Sequence, residues 1–350
     1  GTVGDIEALP FFEAIRQLGN ELPRHSSVYI HLTLMPYIAA AGELKTKPTQ
    51  HSVRELMEIG IQPDILICRS EKQISPEMRR KIALFANVDV GAVIEGADVK
   101  SIYEVPIHYQ AQHLDDLVLS KLGLDAPRSE LSEWKAMVKR IKEPSREPVR
   151  IAVVGKYVAL IDSYKSVQEA LIHGGIANDA GVEISWLSSE DFENGSSVDE
   201  LLGGFDGLLI PGGFGVRGVE GMLNAIRSAR ENGIPFFGIC LGLQTAIIEY
   251  TRSVCGLSGA HSMEWDKETE HPVICLMDAQ RQITDLGGSM RLGSFTARLQ
   301  PGSRAAEIYG ALEISERHRH RYEVNNEYRD PLAEAGMQVS ATSPDGTLVE

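Results

Sequence analysis

Residues 1 to about 125 alternate short apolar runs with amphipathic stretches. The apolar runs are rich in β-branched residues and predict strands at 26–38, 63–70 and 91–96. The amphipathic stretches predict helices at 10–22, at 75–88 and after the basic loop that opens 45–61. Alternating strands and helices predict a parallel sheet flanked by helices.

The same alternation resumes after a break in the pattern. Residues 124–148 are polar, charged and bounded by proline, so they predict an interdomain linker that contains one helix. The second series predicts strands at 149–158, 182–189, 205–210 and 234–239, separated by helices at 163–177 and 218–233. We therefore predict two doubly wound α/β domains with mainly parallel sheets, at 1–123 and 150–350, joined by a linker at 124–149.

Composition narrows the class of protein. The formal net charge of −15 argues against bulk binding to nucleic acid, and no apolar run is long enough to span a bilayer. The cysteines Cys68, Cys240, Cys255 and Cys275 form no CxxC pair, so neither a zinc ribbon nor a disulfide framework is indicated. We expect a cytoplasmic protein in a reducing compartment, without a membrane partner.

The two ends of the chain carry secondary-structure patterns. The chain opens on Gly1 without a methionine, and residues 341–350 predict a strand, a Pro-Asp-Gly turn and the start of a second strand. We therefore expect a fragment of a longer protein, with a second domain that lacks its C-terminal end.

A candidate nucleophile occupies the segment IPFFGICLGLQTAI. Cys240 lies between Gly238 and Gly242 at a predicted strand-to-helix turn. Glycines at these positions allow the close backbone approach of a sharp nucleophile elbow. The first turn of a helix would stabilise the thiolate through free N–H groups. The alternative is an inert core cysteine, which is common.

A glycine-rich loop precedes this elbow by about 27 residues. In LLIPGGFGVRG, a strand runs into a loop whose N–H groups could bind a developing oxyanion. We predict that the N–H groups of Gly213 and Leu241 form the oxyanion hole. A tight turn that binds nothing is the alternative.

These motifs resemble the class I (triad) glutamine amidotransferases. Together with DLGGSMRLG, ERHRHRYEVNN and the first half of the chain, they resemble the CTP synthase family over essentially the whole sequence. The resemblance implies that Cys240 attacks the side-chain amide of glutamine and releases ammonia through a thioester. It also implies a glutamine site whose cation and anion suit the α-carboxylate and α-ammonium groups. Its residues would be Gly213, Leu241, Gly242, Leu243, Gln244, Glu264 and Arg321.

The base that the family uses is not found among the ten histidines. The family carries a His-Pro-Glu type motif, and no histidine follows His320. His261 and His271 lie in a predicted loop, and the Arg-rich surroundings of His318 and His320 favour an anion-binding loop or a solvated basic turn over a general base. We therefore expect an incomplete triad.

The first half carries the family's nucleotide-binding motifs. The loop KTKPTQ places two lysines before a helix whose free N–H groups attract anions, although lysine-rich loops are usually only solvated. The resemblance implies a UTP site that CTP shares, and an ATP segment at Ala97, Asp98 and Val99. For Asp5 and Glu7, capping of a helix N-terminus is the alternative. The UTP and CTP residues would be Asp5, Ile6, Glu7, Lys45, Thr46, Lys47, Pro48, Thr49, Gln50 and Lys81.

The resemblance implies ATP-dependent amination of UTP to CTP, with Mg²⁺ and ATP as cofactors and GTP as allosteric activator. It implies that the loop Phe214–Gly218 contributes to the effect of GTP, and that the protein works as a homotetramer. No P-loop and no metal ligands are recognised in the chain, so we expect these 350 residues to be inactive in the full reaction. A stand-alone class I glutaminase and a catalytically dead regulatory fragment are the alternatives.

Overall fold

A computed structural model describes residues 2–127, 129–193, 198–276 and 291–350, with only the backbone at position 161. The chain forms two compact units, Gly1–Glu143 and Pro144–Glu350. No helix of the described ranges is both long and apolar enough to cross a membrane.

The first unit is built on a parallel sheet with strand order β1-β4-β5. Its strands are β1 (Ile30–Leu34), β2 (Tyr37–Ile38), β3 (Glu43–Leu44), β4 (Ile65–Ser70) and β5 (Val93–Ala97). Its helices are α1 (Leu9–Glu21), α2 (Lys47–Glu58), α3 (Pro76–Ala86), α4 (Val105–Ala111), α5 (Leu114–Leu122) and α6 (Ser132–Lys142). Strand β4 is buried on both faces between helices, as expected for the centre of a parallel sheet.

The segment predicted as a linker contains α6, which packs on the first unit. The indole Nε1 of Trp134 donates to the carbonyl oxygen of Tyr103 at 2.7 Å, and Lys142 forms an ion pair with Glu104.

The second unit contains a parallel sheet with strand order β7-β6-β8-β9. Its strands are β6 (Arg146–Gly155), β7 (Ala180–Ser188), β8 (Gly207–Ile210), β9 (Phe236–Gly238), β10 (Ala260–Ser262), β11 (His271–Cys275), β12 (Arg291–Leu299), β13 (Glu313–His320), β14 (Glu323–Val324) and β15 (Ala341–Thr342). Its helices are α7 (Lys165–Asn178), α8 (Val198–Leu202), α9 (Val219–Asn232), α10 (Leu241–Ser253), α11 (Arg304–Tyr309) and α12 (Arg329–Glu334). The buried faces of β6, β8, α9 and α10 share one apolar core.

The predicted α/β architecture with mainly parallel sheets is confirmed, and several local predictions need correction. The strand predicted at 26–38 ends at Leu34, and residues 37–38 pair instead with β3 in a short hairpin. His261 and His271, predicted in a loop, lie in strands β10 and β11. The antiparallel sheet β13-β12-β15 was not predicted. The motif DLGGSMRLG lies outside the described residues as far as Met290.

Candidate active site

Cys240 forms a strained turn between β9 and α10. Its backbone has φ 56° and ψ −102°, a region that residues with a Cβ rarely adopt. An added Cβ would lie 2.4 Å from the carbonyl carbon of Gly242 if placed on Gly238, and 2.1 Å from the carbonyl oxygen of Ile210 if placed on Gly242. The glycine spacing is therefore a steric requirement of the elbow.

The glycine loop lies beside this elbow because β8 and β9 are parallel neighbours in register. Ile210 pairs with Gly238, so the residues that follow each strand emerge side by side. A Cβ on Gly212 would lie 3.6 Å from the Cβ of Cys240. The structure thus brings the predicted oxyanion loop next to the candidate nucleophile.

The thiol of Cys240 is less acidic than its position at a helix start suggested. Burial, the largest effect, and the carboxylates of Glu264 and Glu323 raise its pKa. A hydrogen bond from the backbone N–H of Leu241, expected at a helix start, and the charge of Arg319 lower the pKa by less. The sulfur is 3.9 Å from the carbonyl oxygen of Arg319.

A cavity of about 340 Å³ collects most of the predicted glutamine site. Gly213, Cys240, Gln244, Glu264 and Arg321 line it together with Phe214, Arg319, His320 and Tyr322. The remaining predicted members do not line this cavity, although the N–H of Leu241 donates to the thiol of Cys240. Leu241 is buried in the core, Gly242 packs against Ile210, and Leu243 lines a neighbouring cavity.

One hydrogen bond and one unused donor characterise this cavity. The amide Nε2 of Gln244 donates to the carbonyl oxygen of Tyr322 at 3.0 Å, which ties α10 to the segment that follows β13. The Nε of Arg321 is buried and has no hydrogen-bond partner among the described residues. A guanidinium with this unused donor, in the same cavity as Glu264, suits a ligand that carries both a carboxylate and an ammonium group.

Lys156 supports the glycine loop and was missed by the sequence analysis. Its ammonium donates to the carbonyl oxygen of Phe214 at 3.1 Å and also to that of Gly215. Burial lowers its pKa to about 8. A lysine that follows a buried strand carries no recognisable motif, so only the fold identifies its role.

A larger cavity of about 760 Å³ is also lined by Cys240. It is lined by both elements of the elbow and by His318, His320, Glu323 and Glu350. His318 is only 8% exposed, and its Nε2 lies 2.5 Å from the Oε2 of Glu350. The interpretation of the cluster as a solvated basic turn is therefore wrong.

His320 is poorly suited to act as a general base. Burial, together with the charges of His318 and Arg291, lowers its pKa to about 4. A base with so low a pKa gains little driving force for removing a proton from a thiol whose pKa is raised.

In the first unit, the predicted nucleotide residues cluster around the start of α2. Lys47, Pro48, Thr49 and Gln50 form its first turn, and Thr46 is its N-cap residue. Lys45 forms an ion pair with Glu43, and the charge of Lys81 also lowers the pKa of this glutamate, so the two lysines lie near one acid.

The side chains of Thr49 and Gln50 are already engaged within the protein. Thr49 donates to the carbonyl oxygen of Leu34 at 3.1 Å, and the amide of Gln50 donates to the hydroxyl of Thr46 at 3.1 Å. They are placed to support the loop, which leaves Lys45 and Lys47 as its cationic groups.

The other predicted nucleotide segments lie at the edges of the first unit. Asp5 precedes a 3-10 turn at Ile6–Ala8, which includes Glu7. Within the described residues the side chain of Asp5 makes no capping hydrogen bond, so the capping interpretation of Asp5 is wrong. Ala97 ends β5, Asp98 forms a 2.9 Å ion pair with Arg69, and Val99 follows in the loop.

Two family models match successive parts of the chain. The family model for the CTP synthase N-terminus matches residues 1–124, and that for class-I glutamine amidotransferases matches residues 159–350. Proteins named CTP synthase from Koribacter versatilis and Symbiobacterium thermophilum are 54% and 56% identical over the whole chain. The chain spans 63% and 65% of their respective lengths.

A similar solved structure is the Trypanosoma brucei CTPS glutaminase domain with bound acivicin. It matches with a TM-score of 0.54 and 42% identity, over 58% of this chain and 79% of that chain. With both family models matched in order, the chain belongs to the CTP synthase family and carries a class-I glutamine amidotransferase domain in its second part.

Proposed function

We propose that the second unit binds glutamine and presents Cys240 to its side-chain amide. The observation that carries this proposal is the small cavity in which Cys240, Gly213, Glu264 and Arg321 meet. Arg321 would bind the α-carboxylate and Glu264 the α-ammonium group, so that the amide carbon faces the sulfur.

In the proposed reaction, the sulfur of Cys240 bonds to the amide carbon, and the carbonyl oxygen becomes an oxyanion. The N–H groups of Gly213 and Leu241 would stabilise that oxygen. Collapse breaks the C–N bond and releases ammonia, leaving a thioester that water hydrolyses to glutamate. The thiol proton of Cys240 leaves on the ammonia, and the attacking water supplies the proton that returns to the sulfur. His320, with its pKa lowered to about 4, is a weak base for these transfers.

We further propose that the first unit binds UTP, and CTP as product, through the loop at Lys45–Gln50, with Asp5, Ile6, Glu7 and Lys81 as further contacts. In the whole protein, ATP would phosphorylate O4 of UTP, and ammonia would displace the phosphate to give CTP in pyrimidine nucleotide biosynthesis. Segment 97–99 would contact ATP.

The remaining proposals concern assembly and regulation in the whole protein. We propose a cytoplasmic homotetramer in which GTP acts as activator through the Phe214–Gly218 loop, where Arg319 lies 5.6 Å from the Phe214 ring. Within the described ranges no group of three or more His, Cys, Asp or Glu residues is arranged to hold a metal, so no step is assigned to Mg²⁺.

Affinity labelling tests the glutamine site. A chloroketone analogue of glutamine is expected to alkylate Cys240 at least about 10-fold faster than Cys255, because binding raises its local concentration at the sulfur. Burial raises the pKa of both thiols, so thiolate content alone predicts no such preference. The measurement is peptide mapping by mass spectrometry, with L-glutamine as protectant. Equal rates without protection would support a catalytically dead fragment.

Nucleotide binding separates the CTP synthase assignment from a stand-alone glutaminase. Calorimetry is expected to show CTP binding that weakens about 10-fold or more in Lys45→Met, because a phosphate loses a charged donor. Lys139→Met, which removes an exposed lysine from α6, is the matched control and should bind normally. Normal labelling of Cys240 without binding of either UTP or CTP would favour the glutaminase alternative.

A further inference from the structure

Glu323 is a buried carboxyl group next to the candidate nucleophile. It is 5% exposed and opens the short strand β14, where it pairs with Cys275 of β11. Its Oε1 is buried and finds no hydrogen-bond partner in the part of the chain that the structure describes. A carboxylate in such a position lacks the compensation that buried charges normally have.

The side chains of Arg291 and His320 lie near Glu323 but form no hydrogen bond with its carboxyl group. The Nη1 of Arg291 is 3.9 Å from Oε1, and the Nδ1 of His320 is 3.8 Å from Oε2, both beyond hydrogen-bonding distance. Arg291 directs its Nη2 to Glu350, which also bonds to His318. Arg291 is therefore shared between two carboxylates and has its closer contact with the other one.

The ionisation of Glu323 falls within the physiological range. Burial and the charge of Glu350 outweigh the attraction of Arg291 and raise the pKa of Glu323 to about 7. His320, with a pKa lowered to about 4, is neutral near pH 7 and adds no positive charge. Glu323 is thus mainly neutral below pH 7 and mainly ionised above it.

Glu323 and Cys240 line the same 760 Å³ cavity, so the charge of one side chain acts on the other through this shared space. The negative charge of Glu323 raises the pKa of the Cys240 thiol. The other charged or titratable groups that line the two cavities or contact Glu323 are Tyr157, Tyr164, Glu264, Arg291, Tyr309, Glu316, Arg317, His318, Arg319, His320, Arg321, Tyr322 and Glu350.

We propose that Glu323 is a positioning residue for Cys240, whose ionisation opposes formation of the thiolate through the cavity that both side chains line. Below the pH at which Glu323 ionises, the thiol titrates without this opposition. Above that pH, the carboxylate raises the pKa of the thiol and keeps more of Cys240 in the thiol form. The inference rests on the proposed function only for the role of Cys240 as nucleophile.

The test is the pH profile of Cys240 alkylation by iodoacetamide, measured by peptide mapping on the full chain between pH 5.5 and 9.5. The reagent does not resemble glutamine, so the result is independent of glutamine binding. In the native chain, the logarithm of the rate should rise with pH, flatten near pH 7 and rise again. In Glu323→Gln the flattening should disappear, and the rate at pH 8 should rise about 3- to 10-fold, corresponding to a fall of about 0.5–1 in the pKa of Cys240.

Glu327→Gln is the matched control, since it removes an exposed carboxylate four residues away, and its profile should follow the native one. A structural role of Glu323 would change the thermal midpoint and leave the shape of the profile unchanged. A native profile without an inflection, or a Glu323→Gln profile that superimposes on the native one, would overturn the proposal. A native profile without an inflection overturns the proposal even if the variant fails to fold.

Discussion

Replacing Gly242 with alanine is expected to reduce labelling of Cys240 by a glutamine chloroketone by at least about 100-fold, since displacements near 1 Å at a reacting centre cost that much. The new methyl group would lie 2.1 Å from the carbonyl oxygen of Ile210, so α10 or β8 must move. Both elements hold the site, because α10 begins next to Cys240 and β8 leads to Gly213. The free energy of unfolding should fall by about 3 kcal/mol, as for an overpacked core.

Gly174→Ala is the control for this experiment. Gly174 lies in the interior of α7, and nothing lies within 4 Å of an added Cβ. The alanine should leave labelling unchanged and stabilise the chain by about 0.5–1 kcal/mol. The measurements are urea unfolding and the labelling rate. A Gly242→Ala variant with native stability and native labelling would refute the elbow geometry.

The second large effect is expected for Arg321→Met. The variant keeps most of the aliphatic stem but removes the guanidinium, whose buried Nε has no hydrogen-bond partner within the described ranges. Affinity of the site for the glutamine chloroketone should fall about 100-fold, or about 2.7 kcal/mol, the lower range for loss of a buried charged partner. Alkylation by iodoacetamide, which has no α-carboxylate, should change by less than about 3-fold.

Comparing the two reagents separates recognition from reactivity. Arg304→Met, which removes a largely exposed guanidinium from α11, is the matched control and should behave as the native chain with both reagents. If Arg321→Met slows both reagents equally, Arg321 supports the structure around Cys240 and the assignment to the α-carboxylate fails. If it slows neither, glutamine binds elsewhere.

The elbow and its glycine loop could be predicted from sequence because their chemistry is local. Gly238 and Gly242 flank Cys240 at positions where a Cβ would collide with the backbone, and the resulting pattern of residues is readable without a structure. The parallel sheet was predictable for a related reason. Strands β4 and β8 are buried on both faces and therefore appear as continuous apolar runs.

The cluster around Glu323 could not be predicted because its members meet only through tertiary pairing. Arg291 lies opposite His320 across the antiparallel strands β12 and β13, whereas Glu323 follows on a strand of another sheet. Neither spacing nor periodicity relates these residues. The acidity of Cys240 was mispredicted for the same reason, since the helix start is visible in the sequence and the burial and carboxylates around it are not.

The register of β8 and β9 has a consequence for how this architecture can vary. Gly213 and Cys240 are 27 positions apart in the chain, but their separation in space is fixed by two adjacent strands, which lie roughly 4.8 Å apart in any sheet. Helix α9 packs in the shared core, whereas the connection from α9 to β9 only has to return the chain to the neighbouring strand. Insertions or deletions in that connection can therefore accumulate among relatives, or be introduced by an engineer to carry a tag or a binding segment, while the nucleophile keeps its distance from the oxyanion loop.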